Sequence, residues 1–468
     1  MHPVLEHLAN HARARPHEAA VTQVIPCARR ASWSWQELCP AVNAVAAEVR
    51  CRVEPEEVVL LSSPNRPEFI AAFLGVLAAD AVIFPVHPSL TGVELRETAL
   101  RSAARMLISS KWTRATMAKP DLRFMDIDGI ASPKHANYKL SETPKRGGLM
   151  LQSSGTTGRP KIVFRSSRSL AAVAANVCEA TRLSHADRSL VAIPLGHSYG
   201  VESGLLAPVM AGAAMHLMDG FDPAIVTEQL GNSGITVFPG VPFMWQALAD
   251  RSPDLRAPHL RLAYSAGGPL PRSVFDRCAT GMNIRVGQLY GSTEIGSGTF
   301  NDPYEQDHDP GSVGRPMRDV HVTILDPDTL NTDVPLPANL EGHVAVRSPS
   351  MLDRYVDDPT PALHFGYFLT GDLGRLDERG RLTITGRVKL QFDIGGMKIN
   401  PLEIEHVLEQ HPLVKECAVI SMPMTDTVDR LKALVVLDEP NGSFSTESLR
   451  DFVRQRLAAH KVPRVFEV

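Results

Sequence analysis

Gln152-Ser-Ser-Gly-Thr-Thr-Gly-Arg-Pro-Lys161 follows directly on the apolar run Gly148-Leu149-Met150-Leu151, which reads as a buried strand. Gly155 and Gly158 let the backbone fold tightly and expose N–H groups with no Cβ in the way. Ser153, Ser154, Thr156 and Thr157 add hydroxyl donors, and Lys161 adds a positive charge. Together they make a cradle for phosphates. It is not the Walker pattern, because Arg-Pro separates the last glycine from Lys161 and no Gly-Lys-Ser/Thr closes the loop. The competing reading is a polar surface turn, which leaves the full set of donors without a purpose.

Four further segments extend the reading. In Tyr290-Gly291-Ser292-Thr293-Glu294 a tyrosine ring can stack on a purine, Thr293 can bond a phosphate oxygen, and Glu294 can hold Mg²⁺ against a triphosphate. A turn followed by a helix N-cap would suit Ser292 and Thr293 alone. Ser265-Ala266-Gly267-Gly268-Pro269-Leu270 ends a strand with glycines that permit close approach of a flat ring. Ile193-Pro-Leu-Gly-His197-Ser198-Tyr199-Gly200 also follows a strand. Tyr367-Phe-Leu-Thr-Gly-Asp372 precedes Gly386-Arg387, with Leu373 to Thr385 reading as a β-hairpin between them. A carboxylate such as Asp372 suits both hydroxyls of a ribose.

In these segments and their order the chain resembles the adenylate-forming superfamily, which joins acyl-CoA synthetases, peptide-synthetase adenylation domains and luciferases. The resemblance implies that His197 lines and gates an acyl site, that the Gly267–Pro269 loop lies along adenine, and that Arg387 contacts ribose and phosphate. Lys389 stands where the family keeps a hinge residue. Gly395-Gly396-Met-Lys398 follows, and in relatives that glycine pair comes beside the thiol arm of the acceptor after a rotation. The implied activity is ATP- and Mg²⁺-dependent activation of a carboxylic acid, with Lys161, Thr157, Glu294 and His197 carrying the chemistry. The acyl group then passes to the thiol of CoA or of the phosphopantetheine on an acyl carrier protein, releasing AMP.

Strand-like runs alternate with helix-period segments through the first 300 or so residues. Such alternation predicts stacked α/β layers with mostly parallel sheets. After about Asp302 the texture turns to Pro, Gly and Asp with short strands, which suits a β-rich subdomain over about 303–388. The expected architecture is a large core over 1–388 and a small, mobile α+β module over 389–468, with helices at Pro401–Glu409 and Thr446–Ala459.

Bulk properties narrow the classes. At 468 residues the chain exceeds one compact core. Hydrophobic content of 44%, charged content of 21% and a formal net charge of −4 give no electrostatic case for nucleic acid or an anionic membrane. The N-terminus lacks the basic and apolar regions of a signal peptide, and Asp80 and Pro85 break the longest apolar stretch. Six scattered cysteines with no Cys-x-x-Cys predict reduced thiols in the cytoplasm.

Two features shape the substrate and the catalyst. Amino-acid-activating relatives place an Asp one residue after the gating aromatic, where this chain has Ser198, which disfavours an α-amino acid. With Tyr199, Gly200, Val201, Gly240, Val241, Met244 and Ala266 the pocket is mostly apolar and suits a fatty or an aromatic acid. The family's C-terminal module normally ends in Pro-x-x-x-x-Gly-Lys, and His460-Lys-Val-Pro-Arg-Val-Phe-Glu-Val468 matches only the run before that lysine. The expectations are therefore a truncated sequence, a substitute charge such as Lys398 or a partner, or a homologue that binds without efficient turnover. Luciferase-like oxidation of an adenylate uses the same fold.

Overall fold

The computed structural model describes residues 2–468 apart from 26–30, 111–121, 131–145, 154–160, 357, 359–362, 389–391, 395–396, 400, 426–427, 439–444 and 458–460. The chain folds as two compact units, residues 1–322 with 346–368, and residues 323–345 with 369–468.

The first unit is built on two large sheets. In the seven-stranded sheet, Val58–Ser62 and Val82–Val86 are central and parallel, and each is buried along its whole length. This is why both read as unbroken apolar runs rather than alternating ones. Gly148–Gln152 joins parallel to Val82–Val86, then Ile162–Ser166 returns antiparallel to it, and Arg354–Tyr355 pairs on the outer edge. The phosphate-cradle stretch is thus the connection between two antiparallel neighbours. The helix Pro67–Ala78 is apolar on almost every face and buried accordingly.

In the nine-stranded sheet, Arg188–Val191, Val237–Gly240, Leu262–Ser265 and Val286–Ser292 run parallel side by side. Gly296–Asn301 then turns back antiparallel to Val286–Ser292. The strand-like runs of the sequence that begin at Ser189, Ile235, Leu260 and Ile284 place the starts of these strands to within two residues. One core joins the two sheets through Trp35, Phe69, Phe73, Leu190, Phe238 and Trp245.

The second unit carries a four-stranded sheet ordered His321–Leu325, Gly342–Arg347, Phe368–Leu376, Leu382–Arg387. It also holds the short antiparallel pair Phe392–Ile394 and Met397–Ile399, and a three-stranded sheet of Val414–Thr425, Val428–Leu437 and Val465–Glu467. Helices Pro401–Leu408 and Thr446–Arg454 pack Ile404, Leu408, Leu449 and Val453 into its core. The second helix stops short of the expected Ala459. Beyond Arg454 it tightens into a turn, where the Arg456 N–H donates back three residues to the Val453 carbonyl. Among the described residues no helix is long and apolar enough to cross a membrane.

Candidate functional site

The ends of the phosphate-cradle loop are fixed, because the Ser153 N–H donates to the Lys161 carbonyl at 2.9 Å. Ser153 is buried and its Oγ has no hydrogen-bond partner. Ser154, Gly155, Thr156, Thr157 and Gly158 lie outside the described residues. Lys161 leaves the loop and extends over the face of Tyr355, with Nζ 4.5 Å from the ring centroid and 2.6 Å from Asp358 Oδ2. The Tyr355 hydroxyl in turn lies 3.4 Å from Glu294 Oε1. One tyrosine therefore brings together a lysine and a carboxylate 133 positions apart in the chain. Burial, then the adjacent Glu294 and Asp358 charges, push the Tyr355 phenol well above its ordinary value, so it stays a donor.

Tyr290 and Ser292 close the strand Val286–Ser292, and Thr293 and Glu294 sit in the turn before Gly296–Asn301. The alternative of a helix start at this point is not what forms. Ser292 Oγ accepts from the Glu294 and Ile295 N–H groups at 3.2 and 3.4 Å, which holds Thr293 and Glu294 in the turn. The carboxylate of Glu294 is a hard oxygen donor. It fits Mg²⁺, which takes one or two carboxylates and completes its shell with substrate phosphates and water. Gly267, Gly268 and Pro269 form an exposed turn after Leu262–Ser265.

The residues expected at an acyl site begin at the short helix Ser198–Val201, which His197 precedes. Asn65, a buried side chain, holds this approach by donating to the Ile193 carbonyl and accepting from the Leu195 N–H, both at 2.9 Å. Gly200 is required there, because a Cβ would stand 2.0 Å from the Pro194 carbonyl oxygen. The His197 ring centroid is 6.4 Å from that of His87. The ring can still be reached by solvent, but the protein packed about it, followed by the proximity of His87, holds its pKa below 6.5. Tyr199 packs edge-on to Tyr264 at 6.2 Å, and its buried hydroxyl has no partner. Gly240 and Ser265 are cross-strand neighbours, Ala266 follows, and the Ser265 Oγ and the Trp245 Nε1 beside Gly240 are also buried without partners. Val201 and Met244 are buried in the main core, with Val241 packed against it.

In the second unit, Asp372 and Arg387 face each other directly across the hairpin, and Arg387 Nε donates to Asp372 Oδ1 at 2.9 Å. His343 Nε2 accepts from the Gly371 N–H at 3.0 Å, and Thr370 Oγ donates to the Val344 carbonyl. Burial lowers the His343 pKa against the opposing pull of Asp372, so the ring keeps the lone pair this bond needs. Lys389, Gly395 and Gly396 lie outside the described residues, as does the Lys398 side chain. Lys461 is held by both oxygens of Glu403, at 2.8 and 2.6 Å.

Sequence reasoning missed Asn65, His87, His343, Tyr355 and Asp358. Their partners are remote in the chain, and the place of Tyr355 is set by its edge pairing with the strand that leaves the cradle, which leaves no signal in the sequence.

Residues 8–356 match the family model described as AMP-binding enzyme, and residues 403–468 match the AMP-binding enzyme C-terminal domain. The chain is 30% identical over 436 residues to a probable CoA ligase of Humulus lupulus, covering 87% of this chain and 82% of that protein. It is 29% identical over 442 residues to an oxalate–CoA ligase of Arabidopsis thaliana, covering 88% and 85%. The ATP-bound structure of MatB from Rhodopseudomonas palustris superposes with a TM-score of 0.88 at 26% identity, over 100% of this chain and 95% of that one.

Proposed function

This chain belongs to the AMP-binding enzyme family, and from that premise we propose that it is an ATP-dependent ligase joining an aromatic carboxylic acid to a thiol. The observation that carries the reading is the Lys161–Tyr355–Glu294 cluster, in which one tyrosine contacts a cation through its ring and a hard carboxylate through its hydroxyl.

In the first half-reaction the acid's carboxylate oxygen attacks the α-phosphorus of ATP, the bond to the β-phosphate bridge breaks, and pyrophosphate leaves. Lys161 leaves Asp358 for the phosphates and offsets the charge that builds on the departing pyrophosphate. Ser153 and the loop after it supply donors to the same oxygens. Glu294 holds Mg²⁺, which when bound neutralises phosphate charge. Asp372 accepts from the ribose hydroxyls, Arg387 turns to phosphate, and Tyr290 with Gly267–Pro269 flanks the adenine. Catalysis of this kind is mainly positioning and electrostatics. In the second half-reaction the thiol attacks the acyl carbon and AMP departs. Between the steps a rotation about Lys389 would bring Gly395 and Gly396 to the thiol arm.

An aromatic acid with a hydrogen-bonding substituent is favoured over a fatty acid by the unpartnered Tyr199 hydroxyl, Ser265 Oγ and Trp245 Nε1. Buried polar atoms are nearly always satisfied, so these three call for a partner, which a polar substituent on the acid or a water would supply. Related proteins are named for 4-coumarate, oxalate and malonate as acids. CoA is the thiol favoured by these names, and a carrier protein's phosphopantetheine is the alternative. A cytoplasmic setting belongs to the same proposal.

The test is acid-dependent ATP–pyrophosphate exchange and thioester formation over benzoate, hydroxybenzoates, cinnamates, octanoate and amino acids. Exchange fastest with a hydroxylated aryl acid supports the reading. Preference for octanoate overturns the aromatic assignment, and silence with every acid alongside intact ATP binding overturns the ligase itself.

A further inference from the structure

Arg165 and Glu202 form an ion pair sealed inside the first unit, with side chains 0% and 2% exposed. Arg165 lies on Ile162–Ser166, four positions after Lys161. Its Nη1 donates to Glu202 Oε1 at 2.5 Å and toward Ser198 Oγ at 3.4 Å, and its Nε donates to Ser169 Oγ at 3.2 Å. The other carboxylate oxygen, Glu202 Oε2, accepts from both the N–H and the Oγ of Ser297, at 2.9 and 2.6 Å. Ser198 Oγ donates to Oε1 at 2.7 Å. The remaining nitrogen, Arg165 Nη2, has no partner and lies against Gly296, where a Cβ would come within 2.8 Å of it. Gly296, at φ +68°, is what lets the guanidinium in.

Each anchor of this network is next to a residue of the proposed site. Ser198 adjoins His197, Ser297 follows Glu294 by three positions, and Ser169 donates to the carbonyls of Ser350 and Met351 on the segment leading to Tyr355. Glu202 opens a π-helical turn, Glu202–Leu206, inserted between the helices Ser198–Val201 and Ala207–Ala211. Such turns are rare and concentrate at functional sites. A buried ion pair is weak evidence for stability, since apolar pairs of like volume often replace one without loss. What it gives is a single geometry.

We propose that Arg165 and Glu202 are positioning residues for adenylation. They lock the acid-binding turn at His197–Ser198 to the Thr293–Glu294 turn and to the strand leaving the phosphate loop, so that carboxylate and α-phosphorus meet in line. The inference rests on the ligase reading. Because Glu202 is charge-balanced by Arg165 and its oxygens are occupied by serines, it is closed to a substrate ammonium, in keeping with an acid that has no amino group.

The test compares the wild type with Arg165→Met/Glu202→Gln, which removes both charges, keeps volume and leaves an acceptor for Ser297. The milder Ser198→Ala removes one anchor and keeps the ion pair. The expected result for the double variant is a kcat lower by about 10²-fold, because a displacement of about 1 Å has that effect on an in-line reaction, with dissociation constants for ATP and acid within about threefold of wild type. Ser198→Ala is expected to lower kcat in the same direction by a smaller factor. Amide exchange is expected to quicken by about tenfold or more over 198–206 and 296–299, while Val58–Ser62 stays as protected as before. Wild-type kcat in the double variant, or exchange raised evenly along the whole chain, overturns the proposal. Should the double variant fail to fold, unchanged kcat and exchange in Ser198→Ala overturn it. If the wild type itself activates no acid, the ligase reading has failed, and the exchange pattern alone still decides whether the pair fixes the two turns.

Discussion

Asp372 offers the sharpest quantitative test of the nucleotide site. In the free protein its carboxylate is almost fully buried and is bonded by Arg387 Nε at 2.9 Å, while the Arg387 side chain is half in solvent. Asp372→Asn therefore unpairs a cation that water can solvate, and a partly exposed pair of this kind contributes about 0–1 kcal/mol. The fold should tolerate the change. Toward ATP the loss is larger. A hydrogen bond to a charged acceptor is worth about 1.5–3 kcal/mol net, and asparagine keeps one acceptor oxygen for one ribose hydroxyl. One charged bond is lost, which at about 1.4 kcal/mol per decade raises the ATP dissociation constant by about 10- to 100-fold. Calorimetric titration measures this directly, and 2′,3′-dideoxy-ATP supplies the control. The wild type loses both ribose bonds on moving from ATP to the dideoxy nucleotide and should weaken by more than the substitution weakens ATP, while the variant, left with one neutral bond, should separate the two nucleotides by only about 2- to 12-fold. A variant that binds ATP as the wild type does, or that still prefers ATP by the original factor, refutes the ribose assignment.

Other expectations are as concrete. Lys161→Met should lower the rate of ATP–pyrophosphate exchange by about 10²–10³-fold with acid affinity unchanged, as measured by exchange kinetics and direct acid titration. Asp358→Asn should do the reverse for binding: Lys161 is parked on Asp358 at 2.6 Å in a pair about one-quarter to one-third exposed. Freeing it from a contact worth about 1 kcal/mol should tighten ATP by about fivefold, and an ATP dissociation constant that rises instead would contradict the parking. The His197 ring should titrate below 6.5 by NMR because of burial first and His87 second, and His87→Ala should move it upward but not past 6.5. Asp187 is held below its ordinary 3.8, since burial is outweighed by two Arg261 bonds at 2.7 Å, the Thr236 hydroxyl and the Ser184 N–H. Its lowered folded pKa means that its stabilisation, about 2 kcal/mol, is complete above pH 3.8 and is lost as pH falls through the folded value. Urea melts of wild type and Asp187→Asn should thus differ at pH 7 and converge in acid.

Much of the fold could be read from the chain because burial leaves a one-dimensional trace. Val58–Ser62 and Val82–Val86 are buried on both faces and so appear as unbroken apolar runs, and the glycine and hydroxyl clusters at 265–269 and 290–294 are local because a turn is local. The hairpin between Asp372 and Arg387 was legible, and the structure adds the register that sets the two residues opposite each other. Tyr355 was invisible for the converse reason. Its place is set by an edge pairing with Val163, and its partners Lys161 and Glu294 belong to two other segments, so no window of sequence contains the cluster.

Arg165 and Glu202 occupy an intermediate case, and they suggest what a sequence reading should look for. Arg165 follows directly on Ile162-Val-Phe164, an apolar strand next to the cradle stretch, and Glu202 falls between Val201 and Leu205-Leu206, in an apolar helical stretch next to the proposed acid site. Either charge alone would be explained by a side chain reaching water. Strand and helix here are buried on the faces those side chains occupy, and an isolated ion in such a place is so costly that it is neutralised or paired. Two charges of opposite sign, each out of place in an apolar element and each beside a motif of the proposed site, therefore call for one another. The inference rests on the rule that a buried charge has a partner; the structure supplies the burial and adds that the partner's second oxygen reaches Ser297, and so ties the helical stretch after His197 to the strand after Glu294.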